Sequence, residues 1–122
     1  MHHLRVIDIV SKWAHFNESD GNLTICGYGH TLSSAFEKAG LAVTALMIKP
    51  EIVVPRKRIS LVCSANTPEQ LFYEWIDNLI LESQALRMLF SRFSVEVEDS
   101  FLRADLWGED IDIARHKLKH RI

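Results

Sequence analysis

The sequence lacks the features that mark several large classes of protein. Only two of its 122 residues are cysteines, which is too few for a disulfide framework. The longest uncharged apolar stretch, residues 39–48, is too short for a helix that crosses a bilayer. An excess of one charge is also missing, because 14 Lys and Arg face 16 Asp and Glu. We therefore expect no disulfide scaffold, no membrane span and no partner attracted by net charge alone.

The composition that remains is that of a globular domain. Hydrophobic residues make up 48% and charged residues 25%, which excludes disordered, collagen-like and mucin-like chains. A chain of this length can hold one hydrophobic core, so we expect a single domain over residues 1–122. The N-terminus lacks a signal-peptide pattern, because Asp8 interrupts its apolar run. The cytoplasm, with reduced thiols, is the expected location.

Hydrophobic spacing predicts two amphipathic helices. The first begins after Thr31, a suitable N-cap residue. The second has the stronger start signal, with Thr67 as N-cap, Pro68 at the first helical position and Gln70 at the third. Gly40 weakens the first helix by roughly 1 kcal/mol relative to alanine.

Alternating apolar residues predict about five strands, which are half-buried. They cover residues 4–10, 23–27, 57–63 and 91–98, and a last strand returns from a turn at 98–100. The polar residues 17–22 are predicted to form a loop. Together these elements indicate an α+β fold, a two-layer sandwich of two amphipathic helices on a mixed or antiparallel sheet.

The polar loop contains the best candidates for a metal site. Its oxygen donors, among them Asp20 and Asn22, are of the kind that hard cations such as calcium prefer. The EF-hand pattern fails, however, because Tyr28 occupies the position of its last ligand. A solvated turn is the favoured interpretation from spacing alone.

Other groups of reactive or charged residues have plainer explanations. Glu109, Asp110 and Asp112 could act in acid–base chemistry, although a charged loop is favoured. The basic clusters 56–58 and 115–121 could contact phosphates, but no interleaved aromatic residue supports base stacking. A solvated edge and a frayed tail are therefore expected there.

The two thiols complete the inventory of reactive groups. Cys26 and Cys63 lie in apolar strands, where we expect buried, inert thiols. No residue set forms a convincing active site. The residues alone therefore favour a binding or accessory protein over an enzyme.

Four stretches of the sequence match the pattern of one known family in order and spacing. They are residues 27–32 (GYGHTL), 70–76 (QLFYEWI), 89–95 (LFSRFSV) and 104–116, where Gly108-Glu109 is followed by Asp112 and Arg115-His116. In these stretches the chain resembles the archease family. The resemblance runs from Trp13 to His116.

The resemblance implies a function as well as a fold. Archeases are small, non-catalytic partners of the RtcB-type RNA ligase, which joins tRNA exons and repairs RNA ends with GTP and manganese. The chain is accordingly expected to activate such a ligase by protein contact. It would promote guanylylation and turnover in tRNA splicing or RNA repair. Neither sequence-specific nucleic-acid binding nor a membrane contact is expected.

The chain departs from the family pattern at the metal site. Asn22 stands where the family has a metal-binding Asp, and Asp20 lies two residues earlier. Asp20 and Asn22 remain the candidate ligands for a divalent cation such as calcium. Binding would be weakened because an amide oxygen carries no charge.

A second departure is at the end of the chain. Family members continue past Arg115-His116 into further strands and a final Asp that completes the metal site. This sequence ends at Ile122, so the expectation is a domain without those C-terminal strands.

These departures leave two alternatives open. One is a degenerate archease-like interaction module without ligase-activating activity, whose exposed sheet edge would favour self-association. The other is a small metal-dependent hydrolase built on His15, Asp20 and Asp112.

Overall fold

The structure, a computed structural model, describes residues 3–10, 15–19, 22–28 and 31–118, with side chains from residue 31 onward. The elements follow in the order β1 (His3–Val10), β2 (His15–Ser19), β3 (Asn22–Tyr28), α1 (Leu32–Ala45), β4 (Lys57–Ser64), α2 (Pro68–Leu86), β5 (Met88–Glu98) and β6 (Phe101–Asp110). A short 3-10 turn, Pro50–Ile52, precedes β4.

The strands of the described residues form two three-stranded sheets. In the first, β3 lies between a parallel β1 and an antiparallel β2. In the second, β6 pairs antiparallel with β4 and with β5. The helix α1 lies against β3 of the first sheet and β5 of the second, and α2 packs beside α1. The predicted α+β class, with two helices on mixed and antiparallel strands, is confirmed.

One strand was missed, and part of the predicted loop is wrong. Residues 17–19 belong to β2 and pair with residues 22–24 of β3 instead of forming a polar loop. Strand pairing uses the hydrogen bonds of the backbone, which polar residues make as well as apolar ones. The alternation of apolar side chains, on which the prediction depended, is absent there.

Both helices begin at the predicted residues. The hydroxyl of Thr31 accepts a hydrogen bond from the N–H of Ser34 at 3.0 Å. The hydroxyl of Thr67 accepts one from the N–H of Gln70 at 3.2 Å. The amide oxygen of Gln70 reaches back to the N–H of Asn66, which completes a capping box displaced by one residue.

The main core lies between the two helices and the second sheet. Its largest fully buried side chain, Trp75, donates its indole N–H to the carbonyl of Phe36 at 2.8 Å, so this polar atom is satisfied. Gly40 has a packing role, because a Cβ there would lie 3.0 Å from the ring of Phe93. The absence of a side chain lets α1 approach β5 closely.

The strands of the second sheet turn the predicted side chains toward the core. The buried residues of β6 alternate with more exposed ones, and Leu102, Ala104 and Leu106 face inward as expected. The predicted turn between β5 and β6 is also confirmed, with Asp99 in the left-handed region at φ 53°. The opposite face of this sheet, which we call the outer face, is turned away from the helices.

The free edge of β5 is covered by α1. A carboxylate oxygen of Glu37 accepts a hydrogen bond from the N–H of Val95 at 2.8 Å. The hydroxyl of Ser33 accepts another from the N–H of Val97 at 3.0 Å. Donors that would otherwise invite a strand from a second molecule are thus satisfied within the chain.

Within the described ranges, neither helix combines the length and the apolar character needed to cross a bilayer.

Candidate functional site

One of the two predicted metal residues, Asn22, is the first residue of β3. The backbone of Asn22 is in register with Ser19 of β2 and with His3 of β1. Asp20 lies outside the described residues. Among the residues that are described, no three His, Cys, Asp or Glu come together as metal ligands do. A cation held by Asp20 and Asn22 therefore stays a prediction.

Glu109, near the end of β6, is a charged residue whose carboxylate has four partners within the described part of the chain. Its side chain is almost completely buried. One carboxylate oxygen accepts the N–H of Val54 at 2.8 Å and lies 2.9 Å from Nε2 of His116. The other oxygen forms an ion pair with Arg115 and lies 3.6 Å from Nε of Arg56. We call these five residues the Glu109 joint.

The geometry fixes the tautomer of His116 in this joint. Its Nδ1 lies 2.9 Å from the backbone nitrogen of Asp112 and accepts that N–H. A nitrogen that accepts a hydrogen bond carries no proton, so the proton of a neutral imidazole is on Nε2. That proton is donated to Glu109. Through these two hydrogen bonds the ring links β6 to the segment after it. His116 is 1% exposed, so the link is shielded from solvent.

The carboxylate of Asp112 closes the turn that brings His116 back. Its Oδ1 accepts the N–H groups of Ala114 at 3.1 Å and Arg115 at 3.4 Å. The spacing from Glu109 through Asp112 to Arg115 and His116 is thus explained by one compact turn. Because Asp112 has this role in the turn, the hydrolase alternative gains no support from it.

The hydrogen bonds of the joint determine the ionisation of Glu109. The hydrogen bond from Arg115 is the largest influence, and together with the N–H of Val54 and with His116 it lowers the pKa of Glu109 to about 2, although burial opposes this change. The carboxylate is therefore ionised at neutral pH. Donors surround it, so it suits neither proton exchange nor the binding of a cation. The arrangement joins three segments of the chain.

The interpretation of residues 109–112 as a charged loop is partly wrong. Glu109 and Asp110 are the last residues of β6, whereas Asp112 follows the strand and is exposed. Asp110 forms an exposed ion pair with Lys57 at 2.7 Å. Acidic residues can end this strand because basic side chains from distant segments meet them there. The sequence around residues 109–112 does not indicate these distant basic partners.

The basic clusters are also placed differently from the prediction. Arg56 and Arg115, one from each cluster, meet at Glu109 instead of forming a separate edge and tail. Residues 119–121 of the second cluster lie outside the described residues.

An aromatic residue does lie among the arginines. In the register of the second sheet, Trp107 of β6 is opposite Arg58 of β4 on one side and Arg92 of β5 on the other. The guanidinium carbon of Arg92 lies 5.0 Å from the centre of the Trp107 ring, which is cation–π geometry. Neither basic cluster contains an aromatic residue along the sequence, but strand pairing makes Trp107 the neighbour of Arg58 from the first cluster. We call Arg58, Trp107 and Arg92 the Trp107 platform.

The sequence predicts which face of the sheet these three residues lie on, but not that they are neighbours. In each strand the inward-facing residues were identified, so alternation already places Arg58, Trp107 and Arg92 on the outer face. Their meeting in one row depends on the strand register, which links residues up to 49 positions apart. Alternation alone does not give that register.

Cys63 behaves as the sequence predicted. It is buried, and burial, with a smaller contribution from the charge of Glu74, raises the pKa of its thiol to about 11. The thiol is therefore protonated and unreactive at neutral pH. The side chain of Cys26 lies outside the described residues.

Comparison with known proteins points in one direction. The archease family model matches residues 15–122. The chain is 32% identical to protein archease of Sulfurisphaera tokodaii, over 84% of this chain and 75% of that protein. It is 31% identical to protein archease of Aeropyrum pernix, over 86% and 76%. The solution structure of Methanobacterium thermoautotrophicum protein 1598 is similar in fold, with a TM-score of 0.72 and 26% identity, covering 81% of this chain and 74% of that one.

Proposed function

The chain belongs to the archease protein family, and from that membership we propose that it is a non-catalytic accessory protein of an RtcB-type RNA ligase. It would promote guanylylation of the ligase and its repeated turnover in tRNA splicing or RNA repair. The observation that carries the proposal is the family match over residues 15–122, which contains all four stretches of the resemblance.

The Glu109 joint supports a role through protein contact. Its residues include Glu109, Arg115 and His116 of the family-like motif, and the structure uses them to hold the segment after β6 against the sheet. Three donors hold this buried carboxylate and lower its pKa, which makes it a poor base for a substrate proton. The motif therefore favours a structural role, in which it fixes the surface formed by the segment after β6, over a role in catalysis.

Guanylylation of the ligase tests this proposal. The ligase of the same organism would be mixed with labelled GTP and manganese, with and without an equimolar amount of the chain. We expect the covalent guanylylated ligase to form faster when the chain is present. No change in the rate of labelling at saturating amounts of the chain would overturn the proposal.

Two variants of the segment after β6 sharpen this experiment. Arg115→Ala removes the ion pair with Glu109 and should reduce the stimulation, because the segment loses its anchor. Lys117→Ala removes an exposed charge two residues away and serves as the matched control. A thermal unfolding curve for each variant shows that the comparison is made between folded proteins.

The alternative is an archease-like interaction module without ligase-activating activity. The observation that favours it is Asn22, which replaces a carboxylate of the family pattern. This module is also expected to self-associate through an exposed sheet edge. Of the two outer strands of the second sheet, β5 is covered by Ser33 and Glu37. Light scattering distinguishes the two: a stable oligomer that fails to stimulate the ligase supports the module, and a stimulating monomer contradicts it.

The metal site is proposed on the resemblance alone. Asp20 and Asn22 would contact a divalent cation such as calcium, and no step of the proposed function depends on it. Because a carboxylate binds a hard cation more tightly than an amide, Asn22→Asp should tighten calcium binding in calorimetry. Equal dissociation constants for both proteins, or no heat of binding for either, would contradict this assignment.

A further inference from the structure

The Trp107 platform is the place on the described surface where an aromatic ring and several positive charges coincide. Its three residues lie side by side on β4, β6 and β5, on the face of the sheet turned away from the helices. Neighbouring strands are about 4.8 Å apart, so the row from Arg58 to Arg92 is roughly 10 Å wide. The guanidinium of Arg92 already stacks over the indole.

The surroundings of the platform add positive charge. Glu109 follows Trp107 by two residues in the same strand and lies on the same face. It brings Arg56 and Arg115 to the same end of the sheet, where their side chains are largely exposed while its own carboxylate is buried. Four arginines and one buried carboxylate leave an excess of positive charge around the ring.

The nearest negative groups beyond Glu109 are Asp105, in the next row of the sheet, and Asp110 at the end of β6. In the next row, Asp105 accepts a hydrogen bond from the hydroxyl of Ser60 at 2.5 Å. Asp110 pairs with Lys57. Asp105 keeps its negative charge, because its partner is a neutral hydroxyl. The four arginines still outnumber the three carboxylates beside them, Glu109, Asp105 and Asp112.

We propose that the Trp107 platform binds single-stranded nucleic acid without sequence preference. Two chemical features fit this ligand together. A flat indole and guanidinium stack offers a surface on which any unpaired base can stack, and the arginines can contact phosphates. An acidic protein segment would match the charges but would make no use of the stack. A duplex keeps its bases stacked inside and matches it poorly.

This inference goes beyond the proposed function, which requires contact only with the ligase. The Coulombic part of the binding predicts that affinity falls as salt is raised, because phosphate contacts release counterions. The stacking part predicts that RNA and DNA strands of one sequence bind similarly. Both have bases and phosphates, and the platform shows no group dedicated to the 2′-hydroxyl.

The test is fluorescence anisotropy of a short labelled RNA titrated with the whole chain, repeated with single-stranded DNA and with duplex RNA. We expect both single strands to bind at low salt and the duplex to bind more weakly. Trp107→Ala should weaken binding of the single strands roughly 5- to 150-fold, the range for loss of one stacked base. Trp107→Phe should retain most of the affinity.

Matched controls exist on the same face of the sheet. Phe101→Ala removes an exposed aromatic ring at the far end of β6, where Ser64 and Glu98 are its neighbours, and should leave binding unchanged. Arg92→Ala should weaken binding and lower the salt slope by about one. Arg103→Ala removes an equal charge from a row between Val62 and Glu96 and should have a smaller effect.

Three results would overturn the inference. One is no binding of either single strand at low salt, and another is unchanged affinity of folded Trp107→Ala. The third is equally tight binding of polyglutamate that is insensitive to Trp107, which would identify a surface for acidic proteins. Guanylylation of the ligase requires no oligonucleotide, so failure here is distinguishable from failure of the proposed function.

Discussion

Single residues near the end of β6 determine the shape of this region. Glu109 stays ionised although it is buried, because the ion pair with Arg115 and two further donors outweigh the cost of desolvation. The preceding Gly108 is required for steric reasons, since a Cβ there would overlap the carbonyl oxygen of Leu89. The sequence identified Gly108-Glu109 as a motif. It did not show the burial or the partners, which come from residues up to 55 positions away.

The pH dependence of stability tests the ionisation of Glu109. Its pKa is about 2 in the folded chain and near 4.5 in an unfolded one, so the unfolded state takes up the proton first as the pH falls. The contribution of ionised Glu109 to the free energy of unfolding is complete above the higher pKa and is lost progressively as the pH falls toward the lower one. We expect Glu109→Gln to be less stable at neutral pH by roughly 1–3 kcal/mol, with the difference shrinking through this window.

Denaturant unfolding at a series of pH values measures this difference. Glu51→Gln, at an exposed carboxylate in the turn before β4, is the matched control. A constant gap between wild type and Glu109→Gln from neutral pH down to about 2 would show that the carboxylate does not act as described.

The elements differ in how well local sequence predicts them. Both helix starts follow from capping residues a few positions apart, so Thr31 and Thr67 were sufficient. The strand β2 was missed because its pairing with β3 uses backbone groups and leaves no apolar alternation. The covering of β5 by α1 was missed for a related reason. It depends on Ser33 and Glu37 meeting residues about 60 positions away, which no periodicity encodes.

The covered edge of β5 gives a prediction at the scale of elements. The double variant Ser33→Ala, Glu37→Ala removes the two acceptors of the N–H groups at Val95 and Val97. We expect lower thermal stability and concentration-dependent self-association, because an open strand edge pairs readily with another. Lys38→Ala, an exposed position on the same helix, is the control.

Size-exclusion chromatography with light scattering over a range of concentrations detects the association. If the double variant stays monomeric and melts as the control does, the side chains of α1 are not what closes this edge.

In the whole molecule, the hydrophobic core and the candidate interaction surface lie on opposite faces of the second sheet. The helices and the main core lie on one face of the second sheet, and the Trp107 platform lies on the other. The Glu109 joint holds the segment after β6 beside that platform. Sequence patterns predicted the fold class and the family. The outer surface depends on strand register, and its chemistry was visible only once the strands were paired.

The accessory role is tested most directly by counting ligation products per molecule of ligase. The ligase would be supplied with excess RNA ends, GTP and manganese, with and without the chain. The account predicts that the chain lets each ligase molecule join many more RNA ends than it joins alone, while the chain by itself joins none. An equal number of products per ligase with and without the folded chain would contradict it.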